Sequence, residues 1–123
     1  MSVIHAPESP THDLGGSRFT SLATPTRGAV ETSVWTVEID PGTPSVPLSL
    51  TREEVFVVLA GTAEVVLDGQ SSTAEAGDAI VVPAKVEFAL SNAGIEPLRL
   101  ICCLPVGGQA IADGARFTPP WAQ

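Results

Sequence analysis

Residues 41–61 read PGTPSVPLSLTREEVFVVLAG, and residues 77–92 read GDAIVVPAKVEFALSN. Both stretches open at a glycine turn, run through short apolar segments and break again at Gly, Pro or Asn. In the first, residues 46–51 form a short extended run with Leu48 and Leu50 on one face. EEVFVVLA (53–60) follows as a continuous apolar strand that stops at Gly61. In the second, AIVVP (79–83) reads as a buried strand and VEFALSN (86–92) as another. Between the two, TAEVVLD (62–68) alternates Ala63, Val65 and Leu67 against Thr62, Glu64 and Val66. It ends at Asp68-Gly69, a pair suited to the left-handed positions of a two-residue hairpin.

The same pattern continues outward. SVWTVEI (33–39) sets Trp35, Val37 and Ile39 against Val34, Thr36 and Glu38, and Asp40-Pro41-Gly42 turns the chain. RFTSLAT (18–24) is a shorter run, and PLRLICCLP (97–105) is the last long one. Turn signals recur about every ten residues, as in an all-β sandwich or barrel. No segment longer than a turn or two has a helical period. Residues 1–17 are polar and broken by Pro7, Pro10, Gly15 and Gly16, so they read as an N-terminal arm. Residues 18–123 read as one β domain. The chain closes on Pro119-Pro120-Trp121, an aromatic anchor for the body of the domain, a pocket mouth or a partner subunit.

Composition narrows the function. The 123 residues suffice for one domain with a core. A net charge of −8, with only Lys85 and five arginines against 14 acids, argues against nucleic acid or an anionic membrane as partner. No apolar run is long enough for a spanning helix, and the N-terminus lacks the basic start and apolar core of a secretory signal. Cys102 and Cys103 are adjacent, so on a strand they point to opposite faces and cannot readily bond each other. A cytoplasmic setting follows as the expectation.

Gly42, Glu54 and Gly61, then Gly77, Pro83 and Asn92, stand at the spacing of the two cupin motifs, G-x5-H-x-H-x3/4-E-x6-G and G-x5-P-x-G-x2-H-x3-N. The chain resembles a small single-domain cupin over residues 33–105, which implies a jelly-roll β-barrel. In that family three histidines and the glutamate hold a metal. Here Leu48, Leu50 and Phe88 stand at the histidine positions, and only Glu54 matches. Leucine and phenylalanine offer no lone pairs, and one carboxylate holds a transition metal poorly. The only histidines, His5 and His12, lie in the arm. The resemblance therefore implies a barrel with no metal and no cofactor. Lys85 replaces the second-motif glycine, so that turn either adopts a conformation that a side chain tolerates or is strained.

Glu54 is the candidate catalytic residue. In the cupin frame it points into the barrel among Leu48, Leu50 and Phe88, where desolvation raises a carboxyl pKa toward neutrality. Such a group suits acid/base catalysis. The alternative is a relic bonded to an arginine or a backbone N–H. Arg52 and Arg18 are candidate anchors for a substrate anion, or ordinary surface arginines. Trp35 and Phe88 can stack a flat substrate or fill the core, and Phe88 has the better claim because it stands at a cavity-facing position of the family.

The expected function is metal-independent chemistry on a small organic molecule, an isomerisation, cyclisation or condensation of the kind found in specialised metabolism. The alternatives are a non-catalytic binding module and a barrel with a filled interior. A homodimer is expected, with the arm over 1–17 a candidate for exchange between copies, because the arm and the edge strand near 18–24 otherwise leave backbone unpaired.

Overall fold

A computed structural model describes residues 2–123. Apart from two single-turn 3-10 segments at Pro25–Arg27 and Pro120–Ala122, its regular structure is all strand. No helix among the described residues is long and apolar enough to cross a membrane. The strands are β1 (His12–Leu14), β2 (Ser17–Ala23), β3 (Thr32–Ile39), β4 (Ser49–Leu50), β5 (Glu54–Ala60) and β6 (Thr62–Leu67). They continue as β7 (Gln70–Glu75), β8 (Ala79–Val82), β9 (Phe88–Asn92), β10 (Leu98–Pro105), β11 (Ala110–Ala112) and β12 (Ala115–Phe117).

One sheet has six antiparallel strands in the order β1-β2-β3-β10-β5-β8. Opposite it lie two three-stranded ribbons, β7-β6-β9 and β12-β11-β4. A bridge between Leu48 and Phe88 joins the ribbons, with each backbone N–H donating to the other residue's carbonyl at 2.8–2.9 Å. The result is the two-layered all-β barrel of the cupin fold.

Alternation decides which residues meet inside. Trp35, Cys102, Phe56 and Ile80 form one cross-strand row of the six-stranded sheet and are all buried. Val37, Leu100 and Val58 form the next. Ala63 and Val65 of β6 and Phe88 of β9 face them from the other layer, and the Phe56 and Phe88 rings lie 6.0 Å apart between centroids. Burial of such side chains contributes roughly 1.5–3 kcal/mol each.

The hairpin at Asp68-Gly69 forms as read, with φ of 49° and 80° between Leu67 and its partner Gln70. Other expectations need correcting. The run over 46–51 narrows to Ser49–Leu50, because Pro47 has no N–H to donate and only Leu48 makes the bridge. AIVV is buried on one face only: Ile80 and Val82 are inside, while Val81 is 49% exposed. β1 lies within the stretch read as an arm and pairs along β2 of its own chain, so β2 is not the sheet edge.

The C-terminal turn docks against β2 and β3. Trp121 stacks on Phe19 with centroids 3.6 Å apart. The Ser21 hydroxyl donates to the Trp121 carbonyl at 2.7 Å, and the buried Ser33 hydroxyl to the Ala122 carbonyl at 2.9 Å. The aromatic at the end of the chain is thus an anchor for the body.

Candidate functional site

Glu54 opens β5 on its inward-facing side, in register with the fully buried Val82. The bend over 51–53 returns the chain from Leu50 to Glu54. The Leu50 carbonyl accepts from the N–H of Lys85, just beyond Val82, so the end of β4 and the turn before β9 are held together. This brings Leu50, Glu54 and Phe88 to one end of the barrel. Leu50 is 2%, Glu54 5% and Phe88 6% exposed, and half-buried Leu48 packs against the same core.

Glu54 forms no ion pair and no side-chain hydrogen bond among the described residues. A buried carboxylate without partners is costly to ionise. Burial therefore pushes its pKa from the ordinary 4.5 up to about 8. The relic reading, with Glu54 tied to an arginine or backbone N–H, is not what the structure shows. Two thiols share its surroundings. Cys102 is fully buried, and its pKa is pushed well up by desolvation and then by the charge of Glu54 and Cys103. Cys103 is raised in the same way, by burial and then by Glu54. The proximity of these thiols to Glu54 was not read from the sequence, because it depends on the β5–β10 register, which places Cys102 against Phe56 and Cys103 against Val55.

The donor set does not fit a metal. Of the four family ligand positions only Glu54 carries an oxygen, and no group of three or more His, Cys, Asp or Glu among the described residues is arranged to hold an ion. His12 lies elsewhere: it pairs with Phe19, its ring centroid is 6.4 Å from that of Trp121, and its Nδ1 lies 2.9 Å from the Thr11 hydroxyl.

The remaining candidates divide. Trp35 is 3% exposed and packed in the core, so it fills rather than lines. Arg18 lies in register with Glu38, on the outward side of β2 and β3. It donates to Glu38 at 2.7 Å and to both oxygens of Asp40 at 2.7 and 3.2 Å. Two carboxylates already occupy its guanidinium, which holds the Asp40 carboxyl below its ordinary range. Arg18 is therefore not an anchor inside the barrel. Arg52 sits in the exposed bend before β5. That bend breaks the strand parity that would have turned Arg52 inward beside Glu54.

Glu54 borders neither of two surface cavities. One, of about 380 Å³, opens between the edge strands β7 and β8 and is lined by residues including Leu67, Ala74, Asp78 and Ile80. The other, about 250 Å³, lies on the outer face of the six-stranded sheet beside Arg18, Thr20, Thr36 and Arg99.

Residues 35–104 match the sequence profile of the cupin domain, Cupin_2. A stretch of 53 residues is 34% identical to the uncharacterized protein MJ1618 of Methanocaldococcus jannaschii, covering 43% of this chain and 42% of that one, so the match spans about two-fifths of that relative. Among solved structures, KdgF from Halomonas sp. superposes with a TM-score of 0.70 at 20% identity, over 85% of this chain and 94% of that one. Salicylate 1,2-dioxygenase from Pseudoaminobacter salicylatoxidans gives 0.71 at 21% identity, over 86% of this chain and 31% of that one. At these identities the likeness is one of fold.

Proposed function

The chain belongs to the cupin domain family, and from that premise we propose that its barrel takes up a small organic molecule and moves a proton on it without a metal, with Glu54 as both acid and base. The observation that carries this reading is the buried carboxyl of Glu54, which has no ionic or hydrogen-bond partner among the described residues and whose pKa burial pushes up to about 8. A neutral carboxylic acid in an apolar wall can protonate a carbonyl oxygen or imine nitrogen. The carboxylate so formed then removes a proton from the adjacent carbon. The acid is restored, and the net change is an isomerisation with no proton gained or lost. The same pair of steps assists a cyclisation or a condensation. A pKa near the working pH suits a group that must act in both directions. Leu48, Leu50 and Phe88 supply the apolar contact surface for the substrate.

Solvent exchange tests this reading. A panel of small keto and imino acids is incubated in D2O with the protein, and deuterium at the carbon next to the carbonyl or imine is followed by NMR. Wild type should incorporate deuterium into at least one member, and Glu54→Gln should reduce the rate by about 10²-fold or more. Equal incorporation by the two proteins refutes the acid/base role. A second reading, binding without turnover, is favoured by the position of Glu54 outside both of the cavities described above. A ligand that co-purifies and is released unchanged supports it.

A further inference from the structure

Three residues other than glycine hold a left-handed backbone among the described residues: Asp68 at φ 49°, Asp113 at 50° and Lys85 at 69°. Aspartate visits that region readily, because its short polar side chain bonds locally. Lysine has no such device, and the second cupin motif has glycine at its position. Lys85 lies in the turn between β8 and β9, so a conformational cost is kept where glycine would remove it. Such strain collects at active and ligand-binding sites. The turn stands at one. The Lys85 N–H donates to the Leu50 carbonyl at 2.8 Å, and Val82, just before the turn, pairs with Glu54. Lys85 is thus fixed at the end of the barrel that holds Leu50, Glu54 and Phe88. It is the only lysine of the chain and is exposed. Arg18 and Arg99 are drawn to Glu38 and Asp40, and Arg27 donates to the carbonyls of Leu22 and His5. Lys85 makes no ion pair among the described residues, although Glu53 and Glu87 stand on the adjoining segments.

We propose that Lys85 holds a carboxylate of the molecule on which Glu54 acts, so that the substrate is a small keto or imino acid taken up as its anion. The inference rests on the proposed acid/base role of Glu54. The two groups divide the work by charge. A neutral Glu54 carboxyl sets no negative charge beside an incoming carboxylate, whereas the chain as a whole, at −8, repels it. A local ammonium offsets that repulsion, and its flexible four-carbon stem lets the charge follow the bound anion. One point charge suits a monoanion. A phosphate dianion is cradled by several convergent donors, and the turn offers a single cation. Arg52, in the exposed bend before β5, is a second cation at this end. It occupies no left-handed position and serves as the control for unspecific attraction. Lysine in place of glycine thus trades backbone freedom for a charge at the rim of the apolar wall of Leu48, Leu50 and Phe88, which takes the hydrocarbon part of the acid.

Ligand-observed NMR titration near neutral pH tests this with 2-oxobutanoate, 2-oxohexanoate and levulinate, each beside its methyl ester. Wild type should bind at least one of the acids, and added salt should weaken that binding. Lys85→Asn removes the charge with a side chain that tolerates a left-handed backbone, and Lys85→Gly removes it while relieving the strain. Both should weaken binding of the acid about tenfold, the worth of one charge-assisted hydrogen bond, and leave the ester unchanged. Lys85→Arg should stay within about threefold of wild type, and so should Arg52→Gln. In the D2O exchange assay Lys85→Asn should raise KM about tenfold with kcat little changed. Glu54→Gln should still bind the acid, and adding Lys85→Asn to it should weaken that binding as in wild type. Lys85-dependent binding without exchange therefore sinks the acid/base reading and leaves the anion site standing. Exchange and binding that ignore Lys85 do the reverse. The proposal is overturned when no acid binds wild type, when Lys85→Asn binds acid as tightly as wild type does, when acid and ester weaken together, or when Arg52→Gln weakens the acid as much as Lys85→Asn does.

Discussion

Replacing Glu54 by Gln should remove a pH dependence of folding that the wild-type barrel cannot avoid. The carboxyl titrates near its ordinary 4.5 in the unfolded chain and near 8 in the folded one, because burial opposes its charge. Between these values the native state keeps a proton that the unfolded chain has released. Stability therefore falls as pH rises across this window, is fully present below 4.5, and is level again above 8. At roughly 1.4 kcal/mol per pH unit the loss is about 5 kcal/mol, a large share of the ~5–15 kcal/mol typical of a domain. Glutamine keeps the shape and never ionises. Its buried amide costs about 1–3 kcal/mol at every pH, a constant offset. The useful quantity is thus the stability of Glu54→Gln minus that of wild type, which cancels every titrating group that does not sense Glu54. Urea denaturation at pH 4.5, 6.5 and 8.5 measures it, stopping below the range of the thiols near Glu54. The difference should climb by several kcal/mol, which at ~2 kcal/mol per molar urea moves the relative midpoints by about 2 M. A difference that stays constant within about 1 kcal/mol from pH 4.5 to 8.5 refutes the reasoning, and with it the unpartnered, desolvated carboxyl on which the proposed function rests.

Lys85 holds φ of 69°, a left-handed conformation that costs a side-chain residue about 1 kcal/mol, so Lys85→Gly should raise the denaturation midpoint rather than lower it. Trp121→Ala removes the ring stacked on Phe19 and should cost about 2–3 kcal/mol in the same assay, with β2 amides nearest the C-terminus losing hydrogen-exchange protection first. A β-carbon at Gly108 would lie 2.7 Å from Leu104 Cγ, so Gly108→Ala should destabilise by about 1–3 kcal/mol through overpacking.

Much of the barrel was legible because its strands announce themselves by period. TAEVVLD, SVWTVEI and PLRLICCLP each carry an inward apolar set, and each appears as a strand within a residue or two of its expected bounds. β7 was not legible: in QSSTAE only Ala74 is buried, so its strand pairing with β6 leaves no apolar alternation to read. β1, β11 and β12 are three residues each, too short for a period. Within the site, Glu54, Leu50 and Phe88 were readable from motif spacing. For Arg18 and Arg52 the sequence left anchor and surface arginine both open, because a guanidinium's partner is set by register and by bends. One is bonded across strands to Glu38 and Asp40, and the other is turned out before β5 begins.

The order of residues alone determined the all-β class, the hairpin at Asp68-Gly69 and the loss of the family's metal donors. Alternation, turn chemistry and the absence of lone pairs on leucine and phenylalanine are properties of residues and their neighbours in sequence. Whether Glu54 would find a partner was decided only by the tertiary structure. Its ionisation depends on which groups distant strands bring within reach and on how much water they exclude. Among the described residues the fold brings no cation to it, buries it beside Val82 and the two thiols and thereby raises its pKa.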